Sequence, residues 1–434
     1  MMTVLRPPPS RRLALAAAVV LIVAGSQLGM LWLAHAYLDA ERGADVLSIE
    51  ALCGMAAILL ALLSSRISVR PRLPAVLAQD RVGRWLFAFL AACIAGEVFR
   101  PDRTFEHITT FVSIGAYYVI GVFAGRWFAS ERASVPVLPF LLSIHTVWYL
   151  GLLVFYARGD LGFYGILPDS DVLRLEFRSG FTATELPIYV GFQLPVLLYV
   201  LFVPHGALLT TWALALLVCA AGLVYLSASS AAMAALLMVF VVVLLARRGA
   251  SLASFLRVAA ACGLAVAALA AVAEGVVQSA EGKLLAFFSS EGIRALIYGE
   301  LLGIIQSQPM GIGKSRFVQQ NNFSWLGEGV FPHNNVLGIG AEMGVPAMLL
   351  FLALGVAVLL ELGRLAWVRR EDIPRRVRVL VAIALGTFLY QQFRGLFQDT
   401  WVVKETYFWL GTGVGAGLAL ARVRTLPMPA RAVP

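Results

Sequence analysis

What most constrains this chain is a succession of apolar stretches, each long enough to cross a bilayer as a helix, separated mostly by short polar connections. A hydrocarbon core takes about 20 residues of helix to span, and only helices or closed barrels satisfy their own backbone hydrogen bonds inside it. The runs are continuous rather than alternating in polarity, so the spans are helices. Composition agrees: of 434 residues 60% are hydrophobic and 14% charged, too apolar for a water-soluble chain of this length. The expected fold is an all-α integral membrane protein, residues 1–434 forming a single polytopic domain of about twelve transmembrane helices. The spans fall near 13–37, 46–63, 85–99, 108–125, 136–157, 186–204, 207–226, 230–246, 251–273, 336–361, 377–393 and 402–421.

Lys and Arg near span ends are retained on the cytoplasmic side. With the N-terminus inside, the inner segments collect Arg6, Arg11 and Arg12, the run from Arg66 to Arg84, Arg126 and Arg132, and then Arg247, Arg248 and Arg257. The run from Arg364 to Arg378 and the C-terminal Arg422, Arg424 and Arg431 complete the set. Both termini are therefore expected in the cytoplasm. The net charge of +9 is mostly a consequence of this topology, and no nucleic-acid partner is inferred from it.

Several features imitate other chemistry. The start MMTVLRPPPSRR, an apolar run and Ala34-His35-Ala36 resemble a secretion signal, but signal cores run about 7 to 15 residues and this one is longer, so an uncleaved first span is expected. Gly311-Ile312-Gly313-Lys314-Ser315 ends like a phosphate-binding loop, yet its required first glycine is Gln308. Cys53, Cys93, Cys219 and Cys262 fall within expected spans without paired spacing and suggest neither a disulfide framework nor a metal site.

Two connections are long, and both lie on the outer side, where function should concentrate: residues 158–185 and residues 274–335. The first holds Arg158, Arg174 and Arg178. In the second, Ile293, Leu296, Ile297, Leu301, Ile304 and Ile305 recur at helical spacing until Gln308-Pro309, predicting an amphipathic helix on the membrane face with Arg294 at the border of its apolar stripe. A turn-rich Pro309-Met310-Gly311-Ile312-Gly313 follows, with Lys314 and Arg316 adding positive charge. Then comes FVQQNNFSWLGEGVFPHNNV, whose amides and aromatics suit sugars and equally suit an irregular loop's own backbone.

Three stretches carry a resemblance. Arg178-Ser179-Gly180-Phe181 precedes a span. Arg294 opens a helix that leads to Gln308-Pro309-Met310-Gly311-Ile312-Gly313. His333-Asn334-Asn335-Val336-Leu337 is followed by Glu342-Met343-Gly344. In order, spacing and shared outer placement they are similar to the elements of the bacterial O-antigen ligase family, within the O-antigen ligase and polymerase superfamily. The likeness covers residues 174–360 together with the twelve-span layout. It departs where family members often carry Ser-Arg in the hairpin after the seventh span; here that hairpin reads Ser227-Ala228-Ser229-Ser230.

The resemblance implies a GT-C-like glycosyltransferase of the bacterial inner membrane, working on the periplasmic face without metal, nucleotide or other cofactor. The donor would be a glycan on undecaprenyl diphosphate and the acceptor a sugar hydroxyl of lipid A-core. Such a metal-free site must neutralise a diphosphate leaving group with cations, and arginine binds phosphate oxygens in a two-pronged way. Arg178 and Arg294 are the candidates; Arg174, Arg316 and Arg394 are secondary, with a snorkelling anchor as the default role of Arg394 at the end of its span. A base must take the acceptor's proton, and histidine titrates nearest neutrality. His333 stands just before an apolar helix whose first N–H groups Asn334 or Asn335 can cap, and that helix's positive end disfavours imidazolium. His35, His107, His145 and His205 lack this company and are expected to be structural or interfacial. Glu342, roughly two turns into the same expected span, is read as a buried structural partner before a catalytic one. No paired carboxylates stand out, so an inverting displacement is expected.

An O-antigen polymerase or a protein O-glycosyltransferase would share these motifs. A transporter or lipid flippase could also have twelve spans, but its binding groups would sit near the midplane, often between repeated halves; here the basic and amide residues gather on one face.

Overall fold

The computed structural model describes residues 9–38, 80–99, 105–130, 136–165, 173–177, 186–227, 291–314, 316–320, 332–367, 373–396 and 400–425, with single positions 53, 56, 57, 60, 232, 236 and 239. Apart from those single positions, the spans expected at 46–63, 230–246 and 251–273 lie outside the described residues.

The helices of the N-terminal half are α1 Pro9–Leu38, α2 Arg81–Val98, α3 Phe105–Ser130, α4 Val137–Ala157, α5 Leu186–Phe202 and α6 Ala207–Leu226. Those of the C-terminal half are α7 Glu291–Ser307, α8 Arg316–Gln320, α9 Asn335–Met343, α10 Val345–Trp367, α11 Arg375–Arg394 and α12 Lys404–Thr425. Among the described residues four helices are long and apolar enough to cross a membrane: His107–Ala129, Val137–Ala157, Ala207–Leu226 and Val345–Ala366. Phe140, Val147, Leu150 and Leu153 on α4, and Leu349, Val356 and Leu360 on α10, are exposed. Meanwhile the amides of Gln27 and Gln193 are wholly buried. Apolar outside and polar inside is the arrangement a lipid solvent permits and water penalises. Those amides stitch helices together: Gln193 donates to Gln27 (2.7 Å), the Tyr149 hydroxyl donates to Gln193 (2.8 Å), and Gln27 donates to the Tyr189 carbonyl (3.2 Å).

The tightest helix pair is α3 with α12, and glycines account for it. A Cβ at Gly121 would run into the Phe408 carbonyl and one at Gly125 into the Thr412 carbonyl; Gly411 and Gly415 meet Tyr118 and Val122 in the same way from the other side. Small residues four apart let two helix backbones touch, the usual device where lipid removes the hydrophobic drive for association. Gly121→Ala and Gly125→Ala are expected to cost about 1–3 kcal/mol each through overpacking. The check is the thermal midpoint in detergent, with Gly355→Ala as the control whose midpoint does not fall, since a Cβ there meets nothing within 4 Å and alanine favours the helix.

The described residues are mostly helical, consistent with the expected all-α membrane protein, and the first long connection adds one element: Leu161–Gly165 (β1) and Leu173–Phe177 (β2) form an antiparallel hairpin, with Tyr164 opposite Arg174. Leu161, Leu175 and Phe177 pack on Trp148, Phe155 and Leu186, so the hairpin is docked on the ends of α4 and α5. One expectation needs correction: the span expected at 336–361 is broken, because Gly344 adopts φ 95° and ψ 166°, which ends α9 and starts α10.

Helix ends converge at one end of the bundle. Val98 of α2, His107 of α3, Leu186 of α5, Val345 of α10, Arg394 of α11 and Lys404 of α12 all belong to it. At the opposite end, Arg81 of α2 pairs with Glu361 of α10 at 3.1 Å, which fixes those two helices as antiparallel.

Candidate functional site

The α9 helix lies across the first of these ends. Its first residue is tied to the end of α11: the Asn335 main-chain N–H donates to the Gly395 carbonyl (2.6 Å), its side-chain Nδ2 donates to the Thr400 hydroxyl (3.1 Å), and its side-chain Oδ1 accepts from the Thr400 N–H (2.7 Å). Its last residue reaches α2, where a Cβ at Gly96 would sit 3.8 Å from the Met343 carbonyl oxygen. Nine residues of helix cover about 13 Å, so α9 bridges the ends of α11 and α2 instead of prolonging α10. Asn334 is its N-cap, accepting from the Leu337 N–H at 3.0 Å, as the sequence predicts.

His333 precedes this cap with φ 52°, and among the described residues no other non-glycine has a positive φ. The left-handed region costs an ordinary residue of order 1–3 kcal/mol and persists only where the surroundings hold it. They do hold it: the Tyr298 hydroxyl of α7 bonds to the carbonyls of both His333 (3.2 Å) and Leu396 (2.8 Å). The imidazole is thus carried by a backbone fixed from α7, α9 and the segment after α11.

The α7 helix runs alongside α9 in the same direction, with Tyr298 at His333 and Ile305 against Gly340. Ile297 and Leu301, fully buried, join Ile312, Phe317 and Ala341 in a small core. A helix therefore stands where the amphipathic one is expected, with Ile297 and Leu301 of its stripe packed toward α9 and Leu296 exposed. Arg294 lies one turn before Tyr298, at the His333 end of the pair.

Arg394 comes to the same end. It is 0% exposed, next to Gly395, whose Cβ would run into the Asn335 amide, and its guanidinium carbon lies 5.8 Å from the centre of the Tyr390 ring. A buried guanidinium is no snorkelling anchor, so that default is overturned. Arg178 lies outside the described residues, but the chain enters α5 at Leu186, and the next residue's carbonyl accepts from the Tyr390 hydroxyl at 2.7 Å. Arg174 sits in β2.

The other end of α9 holds a different set. After α7 the chain turns at Pro309–Gly313 and fastens by its backbone: the Ile312 N–H donates to the Ala341 carbonyl and the Gly313 N–H to the Glu342 carbonyl, each at 2.8 Å. The Val345 N–H donates to the Pro309 carbonyl at 2.8 Å. These N–H groups are spent on carbonyls, which removes the phosphate-loop reading on geometric grounds. Glu342, 2% exposed, ends α9 at the break and is not two turns inside a span. Arg316, at the start of α8, is at this end too, separated from His333 by the length of α9.

Sequence reading missed Glu97. It is 3% exposed at the end of α2, accepts from the Lys314 N–H at 2.9 Å and faces His107 Nδ1 at 3.4 Å. The available signal was an acid one turn inside an apolar run. Of the histidines set aside, His107 has this partner, His205 Nδ1 bonds backbone carbonyls (2.8 Å to Val203), and His145 is buried in α4.

A bundle of apolar helices with exposed leucine faces, buried amides and a crosswise helix pair at one end is a multi-pass α-helical membrane protein. Residues 215–352 match the family model described as O-antigen ligase, so this part of the chain is similar to that family. The match includes Arg294, Arg316, His333, Asn334 and Glu342, and excludes Glu97, Arg174, Arg178 and Arg394. No curated protein matches the chain.

Proposed function

We propose that this protein is an O-antigen ligase of the bacterial inner membrane, with both termini cytoplasmic. It transfers a glycan from undecaprenyl diphosphate to a sugar hydroxyl of lipid A-core at the periplasmic face. His333 is the general base, and Arg178 and Arg294 bind the diphosphate. The observation that carries this reading is the left-handed His333, fixed by the Tyr298 hydroxyl one turn from Arg294 at the capped start of α9. A base must be held in place to act, and backbone strain maintained by three separate elements is a mark of such a position.

Charge-assisted bonds to phosphate oxygens contribute about 1.5–3 kcal/mol each. Two arginines thus supply several kcal/mol to the departing diphosphate if they engage it more strongly as the glycosidic bond breaks. The base and the leaving group act on opposite sides of the anomeric carbon, so configuration inverts with no covalent glycosyl-enzyme. The chemistry uses neither a metal nor a nucleotide, because the arginines carry the neutralisation and the lipid diphosphate carries the activation.

Purified protein with a lipid-linked donor and lipid A-core in detergent is expected to form the joined product. Absence of product, with the protein folded, would refute the transfer. Glycan analysis of a deletion strain separates the acceptors: long polymer left on the lipid carrier is the expected ligase result, and single repeats on lipid A-core would make the chain a polymerase.

A further inference from the structure

We infer that Glu97 is a positioning residue for this transfer, holding the α7–α9 pair, and with it Arg294 and His333, in register with the membrane helices. The inference rests on the transfer proposed above. Three consecutive backbone N–H groups of the turn after α7 divide their partners: Ile312 and Gly313 donate to α9, and Lys314 donates to the Glu97 carboxylate of α2 at 2.9 Å. The turn is thus a strap, with two stitches in the helix pair and one in the bundle.

Glu97 suits that third stitch because a carboxylate has two acceptor oxygens. Oε1 takes the Lys314 N–H, and Oε2 faces Nδ1 of His107, in the first turn of α3, at 3.4 Å. An ionised carboxylate only accepts, so a hydrogen bond across this contact requires the imidazole to carry a proton on Nδ1. One buried side chain therefore joins the ends of α2 and α3 to a turn 217 residues away.

Mechanically, α9 is pinned twice. At its start Asn335 is bonded to Gly395 and Thr400, and at its end the strap runs through Glu97. Removing the second pin leaves the far end of α9 held through Gly344 to α10, a hinge about which the rod, about 13 Å long, can still tilt. The first pin lies beside His333, so a change of angle shifts the base and Arg294 against Arg394 of α11. Misplacement of about 1 Å can cost 10²-fold in rate, whereas lipid binding, spread over many contacts, changes less.

The test compares Glu97→Ala, Glu97→Asp and Glu97→Gln in the full-length protein. Gln keeps the length and the oxygen that accepts from Lys314; Asp keeps the charge but is one methylene short. Ala and Asp are expected to lower kcat by about tenfold with donor KM changed less than about threefold, and Gln to restore kcat to within about threefold of wild type. Amide exchange across residues 309–316 should quicken in Ala and Asp and stay slow in Gln. Wild-type kcat in Asp, equal impairment in Gln and Asp, or impaired variants with unchanged exchange would each overturn the assignment. If Ala does not fold, the Asp and Gln pair decides. A wild-type protein that transfers nothing refutes the proposed function, while the exchange comparison still decides whether Glu97 holds the strap.

Discussion

His333→Asn is expected to lower glycan transfer by about 10² to 10⁴-fold while leaving the fold intact, the range lost when a positioned general base is removed. Asn is the informative substitution because of the backbone. At φ 52° an alanine pays about 1–2 kcal/mol for the left-handed conformation, whereas Asn tolerates it. His333→Ala would thus mix a loss of chemistry with a loosened loop. The bond from the Tyr298 hydroxyl goes to the His333 main-chain carbonyl and survives either change, as does the Asn334 cap on Leu337. His333→Asn should therefore keep wild-type thermal stability and donor binding and lose only the chemical step. Transfer within about threefold of wild type in that variant would remove the base assignment, because amide nitrogen cannot take a proton near neutral pH.

How much of this site could be read from the sequence depends on whether the cause was local. The cap at Asn334 and the stripe Ile293, Leu296, Ile297, Leu301, Ile304 and Ile305 are local patterns; the structure has the cap and buries Ile297 and Leu301 of the stripe, while Leu296 stays exposed. So are α5 and α6, whose apolar runs end where their helices end. The hairpin was legible in principle: Leu173, Leu175 and Phe177 alternate with Arg174 and Glu176, a period-two signal over five residues that the arginine count overshadowed.

The break at Gly344 was not legible from hydropathy, since apart from Glu342 the stretch AEMGVPAMLL stays apolar or small across it. Gly344 followed by Pro346 is a local stop signal that the apolar run masked, and the backbone of Pro309 and Met310 packed against Gly344 fixes the break there. Arg394 and Glu97 were hidden too. A charged residue at a span end has a cheap explanation in water, and burial by elements far along the chain overrides it. Asn335 and Thr400, 65 residues apart, close around the end of α11, and no spacing rule predicts such a pair.

The Glu-x-Gly and Pro-x-Gly-x-Gly stretches change meaning in this light. They attract notice as chemical signatures, yet what they supply is the fit of one backbone against another. Gly344, at φ 95° and ψ 166°, occupies a region essentially reserved for glycine, and its absent Cβ would lie 2.7–2.9 Å from the Pro309 and Met310 main chain. Gly311, at φ 78°, is its counterpart, with a Cβ that would run into the Glu342 carbonyl. Gly344→Ala therefore combines a backbone cost of about 1–3 kcal/mol with a clash that no side-chain rotation relieves.

The expected result is a lifted strap: residues 309–316 become accessible to proteolysis and exchange, and transfer falls by at least about tenfold. The membrane helices should keep their helical content. Gly311→Ala should behave alike, and the double variant should be little worse than either alone, because both open one contact and interacting sites are not additive. Gly299→Ala is the control, lying on α7 where a Cβ meets nothing within 4 Å and alanine favours the helix. Wild-type transfer together with wild-type protection in Gly344→Ala would show that the seam between α9 and the Pro309–Gly313 turn does not hold the site together. Full additivity in the double variant would show that the two glycines serve separate contacts.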